Sequence, residues 1–138
     1  MEFKNILVPT GSGEADEEAV RLACRLGKKD KTKIWAVYVI TIKRTLPLNA
    51  EIEAEIREAE DALDHIEEAA EEEDFEIESD VLQAREAGPA IVDEAAERGV
   101  DLIVMGAKYK RSFGQFSLGD VVPYVLKNAS CPVILYQK

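Results

Sequence analysis

The sequence predicts an α/β fold: one doubly wound domain over residues 1–138, with a five-stranded parallel sheet and four helices. Two observations predict it. Short apolar runs alternate with segments whose apolar residues recur at helical spacing, in the order βαβαβαβαβ, which implies right-handed crossovers and helices on both faces of the sheet. A chain of 138 residues, 46% hydrophobic, is also long enough for one core and too short for two.

The elements follow in order. Asn5-Ile6-Leu7-Val8-Pro9-Thr10 is a buried strand ended by Gly11-Ser12-Gly13. Ala15, Ala19, Leu22, Ala23 and Leu26 then mark a helix that closes at Gly27. Lys33 to Ile40 is rich in β-branched and aromatic residues and reads as the second strand. A loop through Arg44-Thr45-Leu46-Pro47-Leu48 leads to a long helix with the stripe Ile52, Ile56, Ala59, Leu63, Ile66 and Ala70 and an acidic opposite face. Phe75, Ile77 and the alternation around Val81-Leu82 suggest a third strand, exposed enough to be an edge. Pro89 near a helix start, then Ile91, Val92, Ala95 and Ala96, give a third helix stopping at Gly99. Asp101 to Met105 is almost wholly apolar, as a central parallel strand is, and Gly106 ends it. Val121, Val122, Val125 and Leu126 form one face of a short helix, and Pro132 to Tyr136 is the fifth strand.

Charge and cysteine usage narrow the function. A net charge of −11 repels phosphate backbones, which argues against general nucleic-acid binding and makes any anion site local. No apolar run is long enough for direct insertion into a membrane, and the first residues lead straight into a strand without the pattern of an export signal, so a cytoplasmic location is expected. Cys24 and Cys131 are far apart, lack metal-ligand spacing and read as small buried hydrophobes. No metal site is expected.

In open parallel sheets ligands sit at the carboxyl ends of strands where the winding reverses, so the loops after the first and fourth strands are the candidates. Gly106 to Gly119 is strongly basic, with Lys108, Lys110 and Arg111, and glycines at its ends permit close backbone approach. The helix beginning near Asp120 offers free N–H groups to a phosphate. The competing reading is a surface loop whose cations offset an acidic protein. No catalytic residues are assigned: His65, the only histidine, falls on the acidic helix, away from both candidate loops, and there is no Gly-x4-Gly-Lys-Ser/Thr phosphate loop. Ser12-Gly13-Glu14-Ala15-Asp16 also lacks the second glycine and final serine of an ATP pyrophosphatase loop.

Ile6-Leu7-Val8-Pro9-Thr10, Asp101 to Gly106, Gly119-Asp120-Val121 and Val125 to Val133 together resemble the universal stress proteins, over the whole chain. The resemblance implies a fold of the adenine-nucleotide alpha-hydrolase type with strand order 3-2-1-4-5. It also implies a homodimer through the last strand, here the apolar edge Val133, Ile134, Leu135 and Tyr136. A nucleotide pocket of this kind is lined by Pro9, Thr10 and Gly11, by Val39, by Met105 and Gly106, and by Lys108, Tyr109, Arg111, Gly119, Asp120 and Val121.

Members that bind ATP carry Gly-x2-Gly-x9-Gly-Ser/Thr in the loop and an Asp after the first strand. Here Tyr109 replaces the second glycine, Asp120 the Ser/Thr and Gly11 the Asp. The Tyr ring fills space where backbone approaches phosphate, and the Asp120 carboxylate repels it while serving as a helix N-cap. The expectation is a non-catalytic, dimeric stress-response module that binds ATP weakly or not at all, with no required cofactor. The alternatives are a slowly hydrolysing ATP switch in which Lys108 and Arg111 replace the lost contacts, a purely structural dimerisation module, or a regulator of a membrane transporter, since the Leu46-Pro47-Leu48 loop and the altered glycine pattern resemble transporter-associated stress-protein domains.

Overall fold

Alternating strand residues divide the core between two layers. The computed structural model describes residues 2–11, 13–107, 110–112, 115–117 and 121–137, with the backbone alone for 110–112 and 115–117. The main elements are β1 (Asn5–Thr10), α1 (Glu14–Leu26), β2 (Lys33–Thr41), α2 (Glu53–Glu72), β3 (Glu78–Ala84), α3 (Ala87–Glu97) and β4 (Leu102–Ala107). They continue with β5 (Lys110–Ser112), β6 (Gln115–Ser117), α4 (Val121–Asn128) and β7 (Val133–Gln137). Ile6 and Val8 of β1 and Leu102 and Val104 of β4 pack with Ala19, Ala23, Leu63 and Ile66 of α1 and α2. Their neighbours Leu7, Ile103 and Met105 point the other way, onto Ile91 and Ala95 of α3 and Val122 and Val125 of α4.

The sheet is parallel in the order β3-β2-β1-β4-β7. This is the five-stranded order expected, with β7 as its fifth strand. β1 and β4 are central and buried on both faces, which is why they read as continuous apolar runs. Successive crossovers run outward from β1 to β2 and β3, then return to β4 and β7, so the winding reverses between β1 and β4. At the opposite ends of these strands, the Asp101 carboxylate accepts from the backbone N–H groups of Lys4 (2.8 Å) and Asn5 (3.2 Å), so Asp101 acts as a clasp before β4.

Several local expectations change. Phe75 and Ile77 precede β3 and do not belong to it. Asp74 adopts a left-handed backbone (φ 55), with Asp74 N–H donating to Glu71 O at 2.9 Å and Phe75 N–H to Ala70 O at 3.0 Å. This Schellman turn stops α2 and buries Phe75 beneath it, so the apolar signal there marks a helix end. α3 ends in the same way at Gly99 (φ 63), with Val100 N–H on Ala95 O.

Leu126 does not share the buried face of α4. It is 47% exposed because Val122 and Val125 already span the narrow stripe that this two-turn helix offers the sheet. The stretch after the fourth strand is not all loop either. Gly106 and Ala107 extend β4, and β5 and β6 pair as an antiparallel hairpin with Arg111 opposite Phe116. Three-residue strands carry too little periodicity to be read from sequence.

Candidate functional site

β1 ends at the floor of the crevice where the winding reverses. Thr10 Oγ1 donates to Val37 O on β2 at 3.2 Å, fixing its side chain across the neighbouring strand. Gly11 follows, and its N–H donates to Asp16 Oδ2 at 2.7 Å. Asp16 lies in the first turn of α1, whose N-cap is Gly13, a residue with no side chain to serve as a cap. An acidic residue three positions after the cap reaches back to orphan amides, and here the reach extends to Gly11. Burial pushes the Asp16 carboxyl above its ordinary pKa, with the nearby Glu17 charge adding to the rise and the Gly11 and Gly13 amides opposing it.

Gly106, at the end of β4, faces the same turn. A Cβ there would stand 2.3 Å from Ala15 O and 2.7 Å from Asp16 N. The missing side chain therefore lets α1 sit directly on β4. This gives Gly106 a packing role in addition to the close ligand approach for which the sequence singled it out.

Of the other candidates, Pro9 and Met105 are buried, and Val39 and Val121 are half-buried at the end of β2 and the start of α4. The backbone of Arg111 lies in the hairpin. Lys108, Tyr109, Gly119 and Asp120 lie outside the described residues. The strand ends thus bring Pro9, Thr10 and Gly11 together with Met105 and Gly106, and the α1 turn adds Asp16, which sequence reasoning did not select. The signal for Asp16 was its spacing from Gly13.

His65 is closer to this region than its sequence position suggests. It lines a cavity of about 460 Å³ between α1 and α2 that also includes Gly11, Gly13, Glu17, Glu58 and Asp61. The expectation that His65 lies away from both candidate loops is therefore corrected: the register of α2 on α1 carries it to the loop after β1. Its Nδ1 is 2.7 Å from Asp61 O, and this hydrogen bond, followed by the Glu68, Glu17 and Asp61 charges, raises its pKa. The acidic walls make the cavity a poor place for phosphate.

The loop between β2 and α2 is held from β3. Arg85 Nη1 donates to Lys43 O (2.6 Å), Leu46 O (2.9 Å) and Ile42 O (3.4 Å). Gln83 Nε2 donates to Leu48 O and Ala50 O, both at 2.8 Å. Leu46 and Leu48 remain exposed on this pinned loop. Among the described residues no group of side chains is arranged to hold a metal ion, and no helix is long and apolar enough to cross a membrane.

The family model described as the universal stress protein family matches residues 2–137. The chain belongs to that family. A universal stress protein of Methanocaldococcus jannaschii is 32% identical over 142 residues, covering 99% of this chain and 83% of the relative. The fold recurs in a universal stress protein from Archaeoglobus fulgidus, with TM-score 0.76 and 24% identity over 99% of this chain and 95% of that one. It recurs again in a universal stress protein from the same organism in complex with dAMP, with TM-score 0.76 and 22% identity over 99% of both chains. The element order β3-β2-β1-β4-β7 and the crevice at β1 and β4 are thus features of a universal stress protein fold.

Proposed function

We propose that this protein is a cytoplasmic, non-catalytic stress-response module whose nucleotide-type pocket binds ATP weakly or not at all. The observation that carries this reading is the pairing of Gly11 with Asp16. The strand end has no side chain, and a carboxylate from α1 takes the Gly11 amide at 2.7 Å. The backbone donor at the strand end is already engaged, and a carboxylate stands beside it. The sequence changes at Tyr109 and Asp120 act in the same direction.

The related protein solved with dAMP supports an adenine compound as the ligand to test first. The same complex, together with the cations Lys108, Lys110 and Arg111, supports a second reading as an ATP-binding switch. Isothermal titration with Mg-ATP separates the two. The first reading predicts a dissociation constant weaker than about 100 μM, equivalent to a binding free energy no better than about −5.5 kcal/mol. A constant below about 10 μM would overturn it.

We further propose a homodimer through β7. It is an edge strand, and Val133, Ile134, Leu135 and Tyr136 are all half-buried rather than charged and solvated. The pinned Leu46-Pro47-Leu48 loop is the surface on which a transporter or other protein partner would act. A purely structural dimerisation module would instead leave every cellular readout unchanged when Lys108 and Arg111 are replaced with Ala.

A further inference from the structure

We propose that Asp16 sets the ligand class of the pocket, favouring uncharged nucleosides over their phosphate esters. This rests on the reading of the β1/β4 crevice as a nucleotide-type pocket. The geometry places Asp16 at the ends of both central strands. Asp16 Oδ2 is 2.7 Å from Gly11 N and 3.4 Å from where a Cβ on residue 11 would stand, so the carboxylate lies in direct contact with the end of β1. The Asp16 backbone N is 2.7 Å from the corresponding position on Gly106, so the residue bridges the ends of the two central strands.

The chemistry follows from what surrounds the charge. Asp16 has no ion pair among the described residues, and the Glu17 carboxylate adds charge of the same sign. An ionised carboxylate has about four acceptor sites, and the Gly11 and Gly13 amides account for only part of them. The remaining lone pairs suit ligand donors such as ribose hydroxyls or an exocyclic amine. A phosphate charge about 6 Å from this carboxylate, at an effective dielectric near 20, would lose roughly a hundredfold in affinity.

The test is calorimetric titration of adenosine and AMP into the wild-type protein, Asp16→Asn and Glu17→Gln. Asn at 16 keeps an acceptor for the Gly11 amide and removes the charge. The wild type is expected to bind adenosine at least about tenfold more tightly than AMP, and Asp16→Asn to erase that ratio while Glu17→Gln keeps most of it. Wild-type protein that binds AMP as tightly as adenosine overturns the inference without any variant, so it stays testable even if Asp16→Asn fails to fold. An unchanged ratio in folded Asp16→Asn, or an equal change in Glu17→Gln, also overturns it and leaves the pocket itself standing. If neither ligand binds any of the three proteins at millimolar concentration, the pocket reading fails and the inference falls with it.

Discussion

Replacing Gly106 with Ala separates packing from ligand binding at the crevice. The new Cβ would lie 2.3 Å from Ala15 O and 2.4 Å from Ala15 C, whereas ordinary contacts begin near 3.4 Å. About 1 Å of movement is needed, and the obstacle is helix backbone, so no side-chain rotation relieves it. Overpacking of this kind costs about 1–3 kcal/mol, and a rigid obstacle puts Gly106→Ala near the upper end. At about 2.1 cal/mol/K of unfolding entropy per residue, 3 kcal/mol in a chain of this length lowers the melting temperature by about 10 °C. The assay is calorimetric melting without ligand, with Gly13→Ala as the control, since a Cβ at Gly13 meets nothing within 4 Å. The control should shift stability by under about 1 kcal/mol. A Gly106→Ala protein that melts with the wild type would refute the claim that α1 rests on β4 through this glycine.

Asp16 should leave a signature in pH dependence. Its folded pKa lies above the ordinary 3.8, so the folded state holds the proton more tightly, and the resulting stability is lost as pH rises from about 4 through the raised value. The stability of Asp16→Asn relative to wild type in urea titrations should therefore be greatest at pH 7 and fall toward pH 4; an increase in acid would contradict this. Burial pushes the Cys24 thiol up to about 11, so it should resist an aromatic disulfide reagent at pH 8 until the protein unfolds, and fast native labelling of Cys24 would be inconsistent with its packing. Ile134→Pro should give monomers by light scattering if β7 forms the dimer, whereas a persistent dimer would place the interface elsewhere. Arg85→Ala removes three carbonyl contacts and should speed amide exchange and proteolysis between Lys43 and Ala50, with little change in global stability. Unchanged exchange there would show that the loop does not depend on Arg85.

The buried elements were legible because their patterns are simple. β1 and β4 are apolar on both faces, and α1 and α2 carry stripes that meet the sheet, so strand order and layers follow from alternation and family resemblance. What escaped was set by short-range geometry or by tertiary register. The segment around Phe75 looks like a strand start until Asp74 turns left-handed and closes α2. β5 and β6 are too short to show a period. Asp16 reads as an ordinary first-turn acid, and only the fold shows that its carboxylate reaches Gly11. His65 is brought to the β1 loop by the packing of α2 against α1, which no local pattern encodes. Pro9 to Gly11 with Met105 and Gly106 could be placed at strand ends from the apolar runs before them, whereas the packing reason for Gly106 depends on how α1 lies on β4.

On the proposed function, the crevice at β1 and β4 of this universal stress protein does not retain a nucleoside triphosphate. Native mass spectrometry of protein purified without added ligand, followed by denaturation and chromatography of any released small molecule, tests it most directly. The expected result is the bare protein mass and no stoichiometric ATP or ADP. Recovery of either at close to one per chain would contradict it.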